Sequence, residues 1–119
     1  MVNKDGKTVS PTSDAFQAAA ANADWNSVSG YGVILANQPG AASWPMTAAT
    51  FILIPKQPQD PAAATSALKF FAWAYGKGSK MAEELDYVPM PANVIKEIEG
   101  MWSKSITGSD GKPLHVTSN

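Results

Sequence analysis

The chain contains no cysteine, no arginine and a single histidine, His115. Without cysteine there is no disulfide to staple the fold and no thiolate to hold a metal, and one imidazole in a polar tail cannot make up a ligand set. One histidine and no cysteine also leave too few parts for an activated nucleophile with its base, so an enzyme is the least expected reading and no cofactor is called for. All nine basic residues are lysines, so the chain has no planar fork to grip phosphate or carboxylate bidentately. Charged residues are sparse, at 16% with a formal net charge of −1. That denies the chain the basic field that nucleic acid or an anionic membrane would need, and neither partner is expected. No apolar run approaches the ~18 residues of a membrane helix. The start lacks the charged, apolar and small-residue order of a secretory signal, so the polypeptide as given is not expected to be addressed for export.

What is present reads as a small globular unit. At 119 residues, 45% of them hydrophobic, the chain is one domain at most, and a compact fold of this size buries about two thirds of its unfolded surface. Lys4-Asp5-Gly6-Lys7 signals a turn, because Asp-Gly tolerates positive φ, and predicts a short hairpin or strand end. Ser10-Pro11 offers an N-cap followed by proline at the first helical position, and Asp14 suits the positive end of the dipole. A helix is predicted from Pro11 to Ala23, alanine-rich and thinly packed, with Phe16 its only large residue. Residues 27–40 admit a short strand, a helical turn or a loop.

Thr50 to Ile54 is β-branched and aromatic without polar alternation, which predicts a strand covered on both faces, as in a sheet flanked by helices. Such a strand needs neighbours on both sides, and few candidates exist elsewhere in the chain. Asp60-Pro61 repeats the cap-plus-proline signal. The apolar residues Leu68, Phe71, Ala72 and Tyr75 follow helical spacing, with Phe70, Trp73 and Ala74 widening the stripe. This helix is expected to be buried on more than one side and to end at Gly76 and Gly78. A helical turn over Ser79 to Leu85 follows. Pro91 then opens a last helix whose Val94, Ile98, Met101 and Trp102 share a face while Lys96, Glu97 and Glu99 meet water. The tail from Gly108 to Asn119 reads as a turn and an extended or frayed end.

Candidate chemistry is thin. Gly76-Lys77-Gly78-Ser79-Lys80 has the residues of a phosphate loop, but the glycine spacing is too short and a helix, not a strand, precedes it, so a helix C-cap is the reading. Glu83, Glu84 and Asp86, and likewise Glu97 and Glu99, are read as solvated helix faces. Of four tryptophans, Trp73 and Trp102 fall on apolar helical faces and are expected in the core. Trp44-Pro45, just before the apolar strand, is expected to pack at a hinge.

Taken together, Ser43 to Pro55, Ala67 to Tyr75, Asp5-Gly6-Lys7-Thr8-Val9-Ser10-Pro11-Thr12, Ala23-Asp24-Trp25, Leu85-Asp86-Tyr87 and Gly111-Lys112-Pro113-Leu114 resemble the periplasmic phosphate-binding proteins. These are the receptor subunits of high-affinity phosphate ABC transporters. Family members are longer, and this chain resembles only their C-terminal third. The resemblance implies an α/β class and a partial type II periplasmic-binding-protein-like fold, mainly helical with few strands and lacking the N-terminal two thirds. It places residues 1–46 as a remnant of the second lobe and residues 47–119 as the C-terminal part of the first. The crossover is then Trp44, Pro45, Met46, Thr47 and Thr50. The family holds phosphate between its lobes through a Gly-Ala-Thr-Phe-like stretch, a serine-rich turn, a Ser-Asp turn and an arginine followed by Ser-Gly-Thr. None of these occurs here, so no phosphate-binding residue is assigned. The implied parent is periplasmic, made with a signal on a longer precursor, and partners inorganic phosphate and a transporter permease. The piece itself is expected to self-associate, to pair with a complementary chain, or to act as an inhibitor or scaffold through its apolar faces.

Overall fold

Helices carry the regular structure among the described residues of the computed structural model, which are residues 1–114 and residue 116. They are α1 (Ser13–Asn22), α2 (Pro61–Tyr75), α3 (Ser79–Glu84) and α4 (Ala92–Ser105), with a short 3-10 turn at Ser29–Tyr31. The chain divides into two compact units, Met1–Phe51 and Ile52–Asn119. The candidate His115 lies outside the described residues.

In the first unit the Asp5-Gly6 turn closes as expected. Gly6 takes a φ of 72°, Val2 and Thr8 pair antiparallel, and the Asn3 N–H donates to Lys7 O at 2.9 Å. The cap of α1 is Thr12 rather than Ser10. Its hydroxyl accepts from the Ala15 N–H, leaving Pro11 outside the helix and starting it two residues later than the sequence suggests. Ala15, Ala19 and Ala20 form the buried stripe of α1. Alanines at this spacing let other backbone lie close, and the Trp25 indole fills the end of the stripe by donating to Ala20 O at 2.8 Å. Residues 33–35 alternate, with Val33 and Leu35 buried and Ile34 exposed.

The second unit is built on α2 and α4. Asp60 caps α2 by accepting from the N–H groups of Ala62 and Ala63, with Pro61 in the first turn. Proline belongs there because that turn has no use for its missing donor. Leu68 and Ala72 of α2 bury against Trp102 and Ile106 at the end of α4, with Ile54, Phe71, Tyr75, Ile98 and Met101 packed around them. Tyr75 stacks on Trp102 at a ring separation of 6.1 Å. The chain then turns back, with Thr107 pairing antiparallel with Pro113 and the Thr107 N–H donating to Lys56 O at 2.8 Å.

Two sequence expectations fail here, and for related reasons. Thr50 to Ile54 forms no strand, and no strand exists among the described residues. The mainly helical character expected of the chain is what the structure shows, and the few strands of the α/β class are absent among the described residues. A strand leaves its N–H and C=O groups to be satisfied by neighbours, and no neighbour is at hand. Trp73 is 43% exposed rather than in the core. It stacks on exposed Phe70 at 5.8 Å, since the 68, 71, 72, 75 face of α2 already occupies its helical partner.

Burial pushes the Tyr75 phenol above its ordinary value, with the Glu99 carboxylate adding to the shift. The folded state thus holds the phenolic proton more tightly than the unfolded chain. Its stabilising contribution is complete below the ordinary tyrosine value of about 10 and is lost as pH rises through the folded value. Urea unfolding from about pH 9 to 11 is expected to show an alkaline loss of stability that is smaller in Tyr75→Phe.

Candidate functional site

The segment expected to act as a crossover begins inside a tightly held corner of the first unit. Trp44 is buried, its ring lies 6.2 Å from that of Phe16 on α1, and its N–H donates to Ala15 O at 2.9 Å. The Pro45 carbonyl accepts from the Asn37 N–H at 2.8 Å, where Asn37 sits at a φ of 54°. Left-handed backbone is a conformation asparagine tolerates better than most residues. The Thr47 hydroxyl donates to Trp44 O at 2.9 Å. Beyond this point the hold is released, for Met46 and Thr50 are exposed. The structure brings Trp44, Pro45 and Thr47 into one hydrogen-bonded corner and does not bring Met46 or Thr50 into it.

What holds the corner was not among the sequence candidates. The buried Asn3 carboxamide donates to the carbonyls of Gly40, Ala41 and Ser43 at 3.0–3.3 Å. Its oxygen accepts from the N–H groups of Asp5 and Lys7 at 3.1 and 2.9 Å. One side chain thereby shapes its own turn and clasps the loop that leads into Trp44. The Asp5 carboxylate accepts from the Gly40 N–H at 3.2 Å, and the hydroxyl of fully buried Ser43 donates to Pro39 O at 2.7 Å. Asparagine before a Lys-Asp-Gly turn is an Asx-turn signal, which identifies the local half of this clasp but not the partner loop.

The remaining candidates stay separate. Gly76 caps α2, its N–H donating to the carbonyls of Ala72 and Trp73, and Gly78 is buried against Ala74 and the Trp73 ring, so the glycine-lysine stretch is a helix end. Glu83, Glu84 and Asp86 are exposed, whereas Glu97 and Glu99 are half-buried. Among the described residues no cluster of three or more His, Asp or Glu side chains could hold a metal. Trp25, Trp44 and Trp102 are buried, so Trp73, stacked on Phe70, is the one exposed tryptophan among the described residues. All nine lysines are exposed.

The chain is thus held by hydrogen bonds at Trp44, Pro45 and Thr47 and exposed from Thr50 to Leu53. No family model matches the chain. It is, however, 48% identical over 112 residues to a phosphate-binding protein, PstS, of Pasteurella multocida, covering 94% of this chain and 33% of that protein. It is 44% identical over 104 residues to the protein of the same name from Haemophilus influenzae, covering 87% of this chain and 31% of the relative. A third, from Xylella fastidiosa strain Temecula1, is 44% identical over 101 residues, covering 85% and 28%. The chain belongs to the family of these phosphate-binding proteins and spans about a third of the length of the curated relatives it matches.

Two substitutions test the clasp. Asn3→Ala takes the side-chain donor from the carbonyls of Ala41 and Ser43 and the acceptor from the N–H groups of Asp5 and Lys7, while Gly40 O keeps the Ser43 N–H, and is expected to cost on the order of 2–3 kcal/mol. Gly40, at a φ of +113°, has no room for a Cβ, which would collide with Asn22 Nδ2 and Ser43 Oγ. Gly40→Ala is expected to cost about 1–3 kcal/mol. Loss of Trp44 burial, read by tryptophan fluorescence quenching, should accompany both.

Proposed function

We propose that the chain is the C-terminal third of a periplasmic receptor that captures inorganic phosphate and passes it to the permease of an ABC transporter, with no chemistry performed on it. The observation that carries this reading is the 48% identity over 94% of the chain to a protein named for phosphate binding. In this reading residues 1–46 are the remnant of the second lobe and residues 47–119 the last part of the first. Trp44, Pro45, Met46, Thr47 and Thr50 are the crossover between them, with the Asn3 clasp fixing where it starts.

The phosphate ligands belong to the parts of the receptor outside this chain. Arginine is absent, every lysine is exposed, and Thr12 and Asp60 turn their own oxygens onto the opening N–H groups of α1 and α2. A helix start occupied in this way offers less to an anion than a free one. The chain supplies scaffold and crossover, and alone it does not hold phosphate.

A second reading, an interaction module acting as inhibitor or scaffold, is favoured by the exposed run Phe51, Ile52 and Leu53, since adjoining exposed apolar residues mark contact surfaces. Calorimetric titration of the 119-residue chain with inorganic phosphate, with its mass determined by light scattering, separates the two. No heat of phosphate binding is expected. Micromolar or tighter binding would overturn the assignment of the ligands to the rest of the receptor, and a specific complex with an unrelated protein would favour the second reading.

A further inference from the structure

Helix α2 is apolar on two sides, and the chain uses only one of them. Leu68 and Ala72 face the core shared with Trp102 and Ile106, whereas Ala62, Ala63, Ser66, Ala67, Phe70 and Trp73 are exposed. The exposed residues recur at helical spacing along the side opposite the core. Their two rings are already ordered. Phe70 and Trp73 stack at 5.8 Å, Phe70 meets Phe71 edge-on at 5.6 Å, and the Trp73 ring closes on Gly78, where a Cβ would lie 3.2 Å from it. Side chains fixed in advance lose little freedom when they are covered. The one hydroxyl on this face, that of Ser66, donates to Ala62 O at 3.1 Å, so the surface can be closed to water without orphaning a donor.

The face is graded along its length in both size and charge. Its first half is small, with Ala62, Ala63, Ser66 and Ala67, and its second half is aromatic, with Phe70 and Trp73. Exposed Asp60 stands at its start and exposed Lys77 just past its end. A copy of the same helix running the other way is complementary to it in both respects.

We propose that the outer face of α2 is the interface of a homodimer of this chain, the two helices packed antiparallel about a twofold axis at the level of Leu68 and Lys69. In that register Phe70 sits over Ser66 and Ala67 of the second copy, Trp73 reaches Ala62 and Ala63, and Lys77 comes level with Asp60. The twofold axis makes every one of these contacts twice. A parallel pair would set ring against ring, alanine against alanine across a gap, and Lys77 against Lys77. One helix pair covers less than the roughly 1,200 Å² of a standard interface, so dimerisation in the range of about 10–100 μM is expected. The contact uses neither phosphate nor any other part of a receptor, and it holds or fails independently of the receptor reading.

Sedimentation equilibrium of the 119-residue chain from micromolar to millimolar concentration tests it. A monomer–dimer equilibrium is expected, weakened about tenfold or more by Ala67→Glu, which puts a carboxylate under Phe70 of the other copy and near its own counterpart across the axis. Ala67→Ser, which stays small, is expected to keep the dimer, and both variants to keep the helical circular dichroism because position 67 is exposed. Since the chain has no cysteine, orientation can be read from single thiols. Gln59→Cys mixed with Lys77→Cys is expected to oxidise to the mixed disulfide in preference to either symmetric one. A chain still monomeric at about 1 mM would overturn the proposal and leave the face to a different protein. A dimer that Ala67→Glu leaves intact would overturn it by moving the interface to another surface, and preference for the symmetric Lys77→Cys disulfide would overturn the antiparallel arrangement.

Discussion

A β-strand cannot satisfy its own backbone, and that requirement governs what this chain builds and what it leaves open. Helices close their hydrogen bonds within one segment, so α1 and α2 form where a side-chain cap and an apolar stripe coincide, and α4 on its apolar face without a side-chain cap. The 50–54 run has stronger β character than any other part of the chain, yet it stays irregular because the described residues hold no strand to pair with it. Exposure of Leu53 by 93% is the direct consequence, and only Ile54 of the run packs on the core of α2 and α4.

Each unit has its own means of holding together. The first has little apolar mass, with an alanine stripe on α1 and three large side chains, Trp25, Leu35 and Trp44, fully or nearly fully buried. Its order depends on polar contacts of long sequence separation, above all those of Asn3 with residues 40, 41 and 43. Such a network is strong when every member is satisfied and costly when one is removed. The second unit depends on packing in the usual sense, with Leu68, Ala72, Trp102 and Ile106 forming a core between two helices.

Local signals were legible in the sequence. The Asp60 cap with Pro61, the Gly76 helix end, the Asp5-Gly6 turn and the 94, 98, 101, 102 face of α4 all depend on residues a few positions apart, and each stands where the pattern placed it. The N-cap of α1 moved from Ser10 to Thr12 because two hydroxyl residues flank Pro11 and only the second reaches the Ala15 N–H. Trp73 was misplaced because an all-round apolar helix says nothing about how many neighbours it has. Of the candidate site, Trp44-Pro45 was recognisable as a special pair, whereas its seat on Phe16 and its clasp by Asn3 depend on residues about 28 to 40 positions away. The 50–54 run has the composition of a strand, but no local pattern could show that the described residues offer it no strand to pair with.

The most direct measurement is a set of nuclear Overhauser spectra of residues 48–55 in the isolated chain at low concentration. The account predicts no cross-strand Hα–Hα or HN–HN contacts in this segment, while the helical contacts of α2 and α4 are present. Cross-strand contacts from 50–54 to another segment of the same chain would mean that the chain completes its own sheet, contradicting the account, in which no described segment pairs with it.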